Sequence, residues 1–117
     1  MKQTYSGGCQ CGKVRYEVAL ELGTVISCNC SRCGKWGALL AFAPAADFKL
    51  VSGEGATTDY QFHKHNIHHL FCSTCGIQSF GQGKRPDGAE MVAINVRCLD
   101  GVDVNALTVK KFDGKSL

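Results

Sequence analysis

G-G-C-Q-C-G-K-V-R-Y-E-V-A-L-E-L-G, residues 7–23, places two cysteines one residue apart directly ahead of a strictly alternating run. Val14, Tyr16, Val18, Leu20 and Leu22 share one parity, and Lys13, Arg15, Glu17, Ala19 and Glu21 share the other. Period two over ten residues is the pattern of a half-buried strand, and Gly23 ends it. In an extended chain residues two apart face the same way, so Cys9 and Cys11 can present both sulfurs to one ion.

Outward from this segment the chain reads as a succession of short strands cut by cysteine-bearing loops. Thr24–Ser27 is expected as the next strand, 29–35 as a tight loop, and the apolar run Gly37–Ala43 as another strand. Pro44 and Asp47 predict a brief helical turn, followed by a strand at Phe48–Ser52 and a turn at Gly53–Gly55. Strands are expected at Thr57–His63, Ile67–Cys72, Ile77–Gly81 and Glu90–Val96, with Gln82–Ala89 as a surface loop. A short turn near Asp103–Leu107 precedes a last strand at Leu107–Phe112. The expected class is mainly β, in one domain covering 1–117.

Eight cysteines in 117 residues is far above ordinary usage. The N-terminal residues carry no apolar stretch of the kind a secretory signal needs, and no run approaches the ~20 apolar residues of a membrane span. A cytoplasmic chain is expected, and in a reducing compartment metal binding is favoured over disulfides. The formal charge is +3 with every cysteine counted as a neutral thiol. Seven thiolates remove seven charges and two dications return four, so full metallation brings the total to zero. The apparent basicity then vanishes, which argues against a nucleic-acid partner.

Seven cysteines cluster at motif spacing: Cys9-x-Cys11, Cys28-x-Cys30-x-x-Cys33-Gly34 and Cys72-x-x-Cys75-Gly76. In a C-x-x-C-G curl two sulfurs converge, backbone N–H groups can point at them, and glycine takes the positive φ that the curl requires. Zinc accepts four such ligands in a tetrahedron, about 2.3 Å from each sulfur. Spacing does not fix the metal, since iron held by four sulfurs also suits two such curls. Seven sulfurs make one complete set and one set of three, and a zinc short of a protein ligand can bind substrate. The preferred division joins Cys9 and Cys11 to Cys72 and Cys75, leaving Cys28, Cys30 and Cys33 as an open cap. A ribbon-like pairing of Cys30 and Cys33 with Cys72 and Cys75 remains an alternative.

G-G-C-Q-C-G-K-V-R-Y at 7–16, C-N-C-S-R-C-G-K at 28–35, H-L-F-C-S-T-C-G-I-Q-S-F at 69–80 and N-V-R-C-L-D-G at 95–101 resemble the glutathione-dependent formaldehyde-activating enzyme / centromere protein V family. The resemblance implies a β-tent fold built of short antiparallel strands. It implies two zinc ions per chain, a structural one on Cys9, Cys11, Cys72 and Cys75 and a catalytic-type one on Cys28, Cys30 and Cys33. The implied activity is that of a carbon–sulfur lyase joining a small thiol, glutathione, to formaldehyde. The chain is near the minimal domain and has little besides the motifs, so the resemblance bears on fold and metal more than on substrate. The competing function is a non-enzymatic zinc-stabilised module that binds a protein partner.

Around the open cap, Arg32 and Lys35 are candidates to offset its charge and meet a substrate carboxylate, or are solvated loop charges. Trp36 and Phe42 are candidate pocket walls or core aromatics. Cys98 is expected to pack as a thiol, with completion or redox modulation of the second site as the alternative. His63 and His65 share a hairpin face with nothing to complete a metal set, His68 falls in the same solvated group, and His69 can brace a sulfur or line the site. Glu90, Asp100 and Asp103 are the nearest carboxylates, and none is assigned as a general base.

Overall fold

The computed structural model describes residues 2–62 and 67–116. Among the described residues ten strands form two sheets: β1 (Gln3–Gly8), β2 (Arg15–Leu20), β3 (Thr24–Cys28), β4 (Leu40–Pro44), β5 (Phe48–Ser52), β6 (Thr57–Tyr60), β7 (Ile67–Cys72), β8 (Phe80–Lys84), β9 (Glu90–Asn95) and β10 (Thr108–Phe112). The smaller sheet has the order β1-β2-β5 and the larger β10-β3-β4-β9-β8-β7-β6. Neighbours are antiparallel except β10, which runs parallel to β3. This mainly β arrangement, with cysteine-bearing turns at the strand ends, is the expected β-tent.

The alternation that opens the chain does what its period requires. Tyr16, Val18 and Leu20 on β2 are buried while Glu17 is exposed. They meet Val92 and Ile94 of β9 and Phe80 of β8 in a shared core. Tyr16, Phe48 and Phe80 form an aromatic group with centroids 4.8–5.6 Å apart. The Tyr16 hydroxyl donates to the Ser79 carbonyl at 3.0 Å, tying the small sheet to the large one. Burial keeps this phenol neutral, with its pKa raised well above the ordinary range.

Several boundaries differ from the sequence reading, each for a local reason. Residues 3–8 form a full edge strand although Q-T-Y-S-G-G has no apolar alternation. Its glycines serve close approach: a Cβ on Gly7 would stand 2.8 Å from the Cys98 carbonyl, and one on Gly8 would collide with that of Val14. The expected strand at 77–81 starts only at Phe80 and runs on through Lys84. Ile77 instead accepts from the Cys72 N–H at 3.0 Å, closing the cysteine turn. Glycine-bearing G-Q-G-K extends because β7 and β9 flank it on both sides, confining the loop to a turn near 85–89. The expected strand at 57–63 is observed as Thr57–Tyr60, and His63 lies outside the described residues.

The stretch 29–35, read as a loop, contains a single helical turn, α1 (Cys33–Trp36). Gly37, not Gly34, takes the left-handed conformation that ends it, with φ 77°. Cys9 and Cys11 likewise sit in the turn between β1 and β2, not on an extended strand. Their sulfurs converge because the chain doubles back, with Cys9 N–H donating to the Val14 carbonyl at 3.1 Å.

Replacing Tyr16 by phenylalanine removes the hydroxyl but not the ring. Ser79 keeps one donor, the Asn95 N–H at 3.1 Å, so the expected cost is about 1 kcal/mol. Tyr16→Ala, which also empties the aromatic group, is expected to cost about 3–5 kcal/mol. Urea denaturation midpoints in excess zinc measure both.

Candidate metal centres

Two sets of sulfurs converge, those of Cys9, Cys11, Cys72 and Cys75 and those of Cys28, Cys30 and Cys33, each within 4.8 Å of one another. The ribbon-like pairing of Cys30 and Cys33 with Cys72 and Cys75 is not the one the fold brings together. Cys9 and Cys11 come from the β1–β2 turn, while Cys72 ends β7 and Cys75 follows in a turn closed by Gly76 at φ 79°. The first set therefore bridges the two sheets. The second is local: Cys28 ends β3, Cys30 lies in the following turn and Cys33 opens α1.

The donors suit a tetrahedral metal. Cys9–Cys11 and Cys11–Cys72 sulfur separations are both 3.6 Å. Bonds of about 2.3 Å in a tetrahedron give an edge of about 3.8 Å. A disulfide would require about 2.05 Å. Backbone N–H groups donate to the sulfurs: Val14 to Cys9 at 3.3 Å, Cys33 to Cys30 at 3.3 Å and Cys75 to Cys72 at 3.5 Å. Charge is distributed unevenly. Backbone N–H groups of Ile77 and Cys11 draw the Cys75 thiol down to about 6, and that of Cys75 lowers Cys72. Burial and its neighbours Cys30 and Cys28 push Cys33 up to about 12. Crowded thiols cannot all ionise together without a cation among them, which a divalent metal supplies.

Beside the three-cysteine loop lies a cavity of about 430 Å³, lined by Arg32, Lys35, Trp36, Tyr60, Phe62 and Gln78. Arg32 donates to Gln78 Oε1 at 2.7 Å and its guanidinium stands 4.9 Å over the Tyr60 ring and 5.8 Å from Trp36. Its Nε is buried and without a hydrogen-bond partner among the described residues. Arg32 is thus a held cation, not a freely solvated one, whereas Lys35 is exposed. Gln78 is fixed in turn by donating to the Phe80 carbonyl at 3.3 Å, with His69 Nδ1 3.5 Å away.

Of the two candidate wall aromatics, only Trp36 reaches this cavity. Phe42 is 53% exposed on β4, against a separate groove, because its side chain alternates away from the buried Ala43. Cys98 is half-buried, and burial with the neighbouring thiols of Cys9 and Cys75 raises it to about 11. It stands near the four-cysteine set and joins neither set. Asp100 pairs with Arg15, Asp103 caps the turn at Val104–Ala106, and Glu90 lines a different cavity. His65, like His63, lies outside the described residues. Tyr60 and Phe62 had no signal in the sequence: they are 27 or more residues beyond Cys33, and strand pairing through β6, β7 and β8 brings them to the loop, whereas Gln78, three residues past Cys75, lies within the 69–80 motif and was not read as a site residue.

His69 is buried at 7% exposure, stacked 5.1 Å from Phe62, and faces the cavity side of β7 without bracing a sulfur. Burial and the Arg32 charge lower its pKa to about 4, against the opposing pull of Asp59. An unfolded histidine titrates near 6.5. The unfolded chain therefore takes up this proton first, and stability present above about pH 6.5 is lost as pH falls towards 4. His69→Gln is expected to flatten that limb relative to wild type, as read from urea midpoints at pH 7 and pH 5.

Comparison with known proteins agrees with this geometry. The family model described as glutathione-dependent formaldehyde-activating enzyme matches residues 4–112, which span both sulfur sets. A crystal structure of a Rhodobacter sphaeroides protein, a structural-genomics target, is similar with a TM-score of 0.75 at 34% identity, covering 90% of this chain and 99% of that one. No helix among the described residues is long and apolar enough to cross a membrane. With cysteine sets, two-sheet architecture and sequence in agreement over nearly its whole length, the chain belongs to the glutathione-dependent formaldehyde-activating enzyme family.

Proposed function

We propose that the chain is a zinc-dependent carbon–sulfur lyase that forms or breaks the aldehyde adduct of a small anionic thiol, glutathione or a relative of it. The observation that carries this reading is the incomplete second set: Cys28, Cys30 and Cys33 converge with no fourth histidine, cysteine or carboxylate among the described residues. A fourth ligand from the chain itself would instead favour a protein-binding zinc module. Cys9, Cys11, Cys72 and Cys75 would hold the structural ion and Cys28, Cys30 and Cys33 the other. Held by three thiolates, zinc supplies affinity for a fourth sulfur with little power to ionise water.

In the reaction the substrate sulfur attacks the aldehyde carbon, a carbon–sulfur bond forms, and the carbonyl becomes a hydroxyl that takes up the thiol's proton. The reverse is elimination. No redox partner is needed. The chain's part is to position the thiol. Arg32 offers a fixed positive charge to a substrate carboxylate, with Gln78 setting its orientation and the Tyr60 ring beneath it. Trp36, Tyr60 and Phe62 supply apolar walls, and exposed Lys35 adds a second cation at the mouth.

Metal content separates the two sets. Wild type is expected to hold two zinc ions, Cys30→Ala one with the fold retained, and Cys75→Ala to lose the fold, because a closed site that joins two sheets contributes folding energy directly. Elemental analysis with circular dichroism reads this, and equal melting of the two variants would overturn the division of labour.

Activity is tested by following glutathione–formaldehyde adduct formation by NMR. The rate is expected to exceed the spontaneous one. Arg32→Ala is expected to raise KM about 10–100-fold for glutathione and far less for its esterified, uncharged form. No acceleration by wild type would remove the proposed reaction.

A further inference from the structure

The C-terminal segment crosses the three-cysteine loop and touches it at several points. Strand β10 lies parallel to β3 with Phe112 opposite Cys28, and the chain continues into a turn at Gly114–Ser116. Asn29, between Cys28 and Cys30, grips this segment three times. Its N–H donates to the Phe112 carbonyl at 3.1 Å and its Nδ2 to Asp113 Oδ1 at 2.9 Å. Its Oδ1 accepts from the Lys115 N–H at 2.9 Å. Ser116 Oγ donates to Asp113 Oδ2 at 2.6 Å and closes the turn.

The result is that Gly114 lies against a sulfur. A Cβ placed on it would stand 2.5 Å from Cys28 Sγ and 3.4 Å from Cys30 Cβ. Non-bonded heavy atoms settle about 3.5–4.0 Å apart, so the first of these is a collision. Gly114 is not among the glycines with positive φ, so its backbone is open to any residue, and what a Cβ there would displace is the Cys28 sulfur. Cys30 is steadied by the Cys33 N–H, at 3.3 Å. Cys28, at the end of a strand, has the C-terminal segment behind its sulfur instead.

We propose that residues 113–116 form a strap that positions Cys28 in the three-sulfur set, with Gly114 and Asn29 as its two positioning residues. The inference rests on the reading that this set holds zinc. The strap limits where the Cys28 sulfur can turn and covers one side of it. Asn29 is the clasp that keeps the strap in place.

Zinc titration of the reduced, metal-free chain against a chromophoric chelator tests this, with cobalt spectra and urea midpoints of the one-zinc form alongside. Wild type is expected to take up two equivalents. Gly114→Ala and Asn29→Ala are expected to keep the first, lose about 10–100-fold in affinity for the second, and shift the thiolate-to-cobalt band of the second site only. Their one-zinc midpoints should match wild type. Unchanged second-site affinity and cobalt spectrum in Gly114→Ala would overturn the strap while leaving the zinc reading intact. Wild type that binds a single equivalent would overturn both. Parallel losses at both sites with lowered midpoints would mean general destabilisation, and would also overturn it.

Discussion

Two turns that lie 61 residues apart bring their sulfurs within hydrogen-bonding reach, with Cys11 and Cys72 3.6 Å from one another. One turn belongs to the small sheet and the other to the large sheet. The convergence sets where the sheets sit at one end, as the Tyr16 hydroxyl on the Ser79 carbonyl does within the core. The candidate cavity depends on that placement, because Ser79 and Gln78 follow directly from the Cys72–Gly76 turn. A small domain has little core to spare, and a cation bound by four thiolates adds an attachment that packing alone does not provide.

From that anchor the arrangement runs to the cavity in a few steps. Cys72 ends β7, Gly76 reverses the chain, and Gln78 is delivered beside the loop of the other sulfur set. Gln78 holds the Arg32 guanidinium over Tyr60, a residue carried by the edge strand β6. The four-sulfur and three-sulfur sets are thereby coupled through one buried amide. A cation stacked on an aromatic ring and hydrogen-bonded on one side keeps its position without a carboxylate partner among the described residues, so its charge remains available to a ligand.

The two sets differ in what surrounds them as well as in ligand number. The first is held between sheets. The second is formed by one short loop and depends on what packs around it: α1 behind Cys33, and the C-terminal segment against Cys28. A site assembled from six consecutive residues needs little long-range folding, but it leaves the outer sulfur to be fixed by a distant part of the chain.

Much was legible in the sequence because its causes are local. The alternation from Val14 to Leu20 requires a strand with one wet face, and C-x-C and C-x-x-C spacings require turns that gather sulfur. Glycine at 76 marked a positive φ for the same reason. Where local preference and tertiary pairing disagreed, pairing prevailed: G-Q-G-K became a strand between two partners, and Q-T-Y-S-G-G an edge strand along β2. Composition and spacing thus determined a mainly β chain with seven gathered cysteines. Only the tertiary structure decided which sulfurs share a centre, which aromatics meet Arg32, and that a side chain at 114 would meet the Cys28 sulfur, since each depends on a contact between residues far apart in the chain that no local pattern encodes.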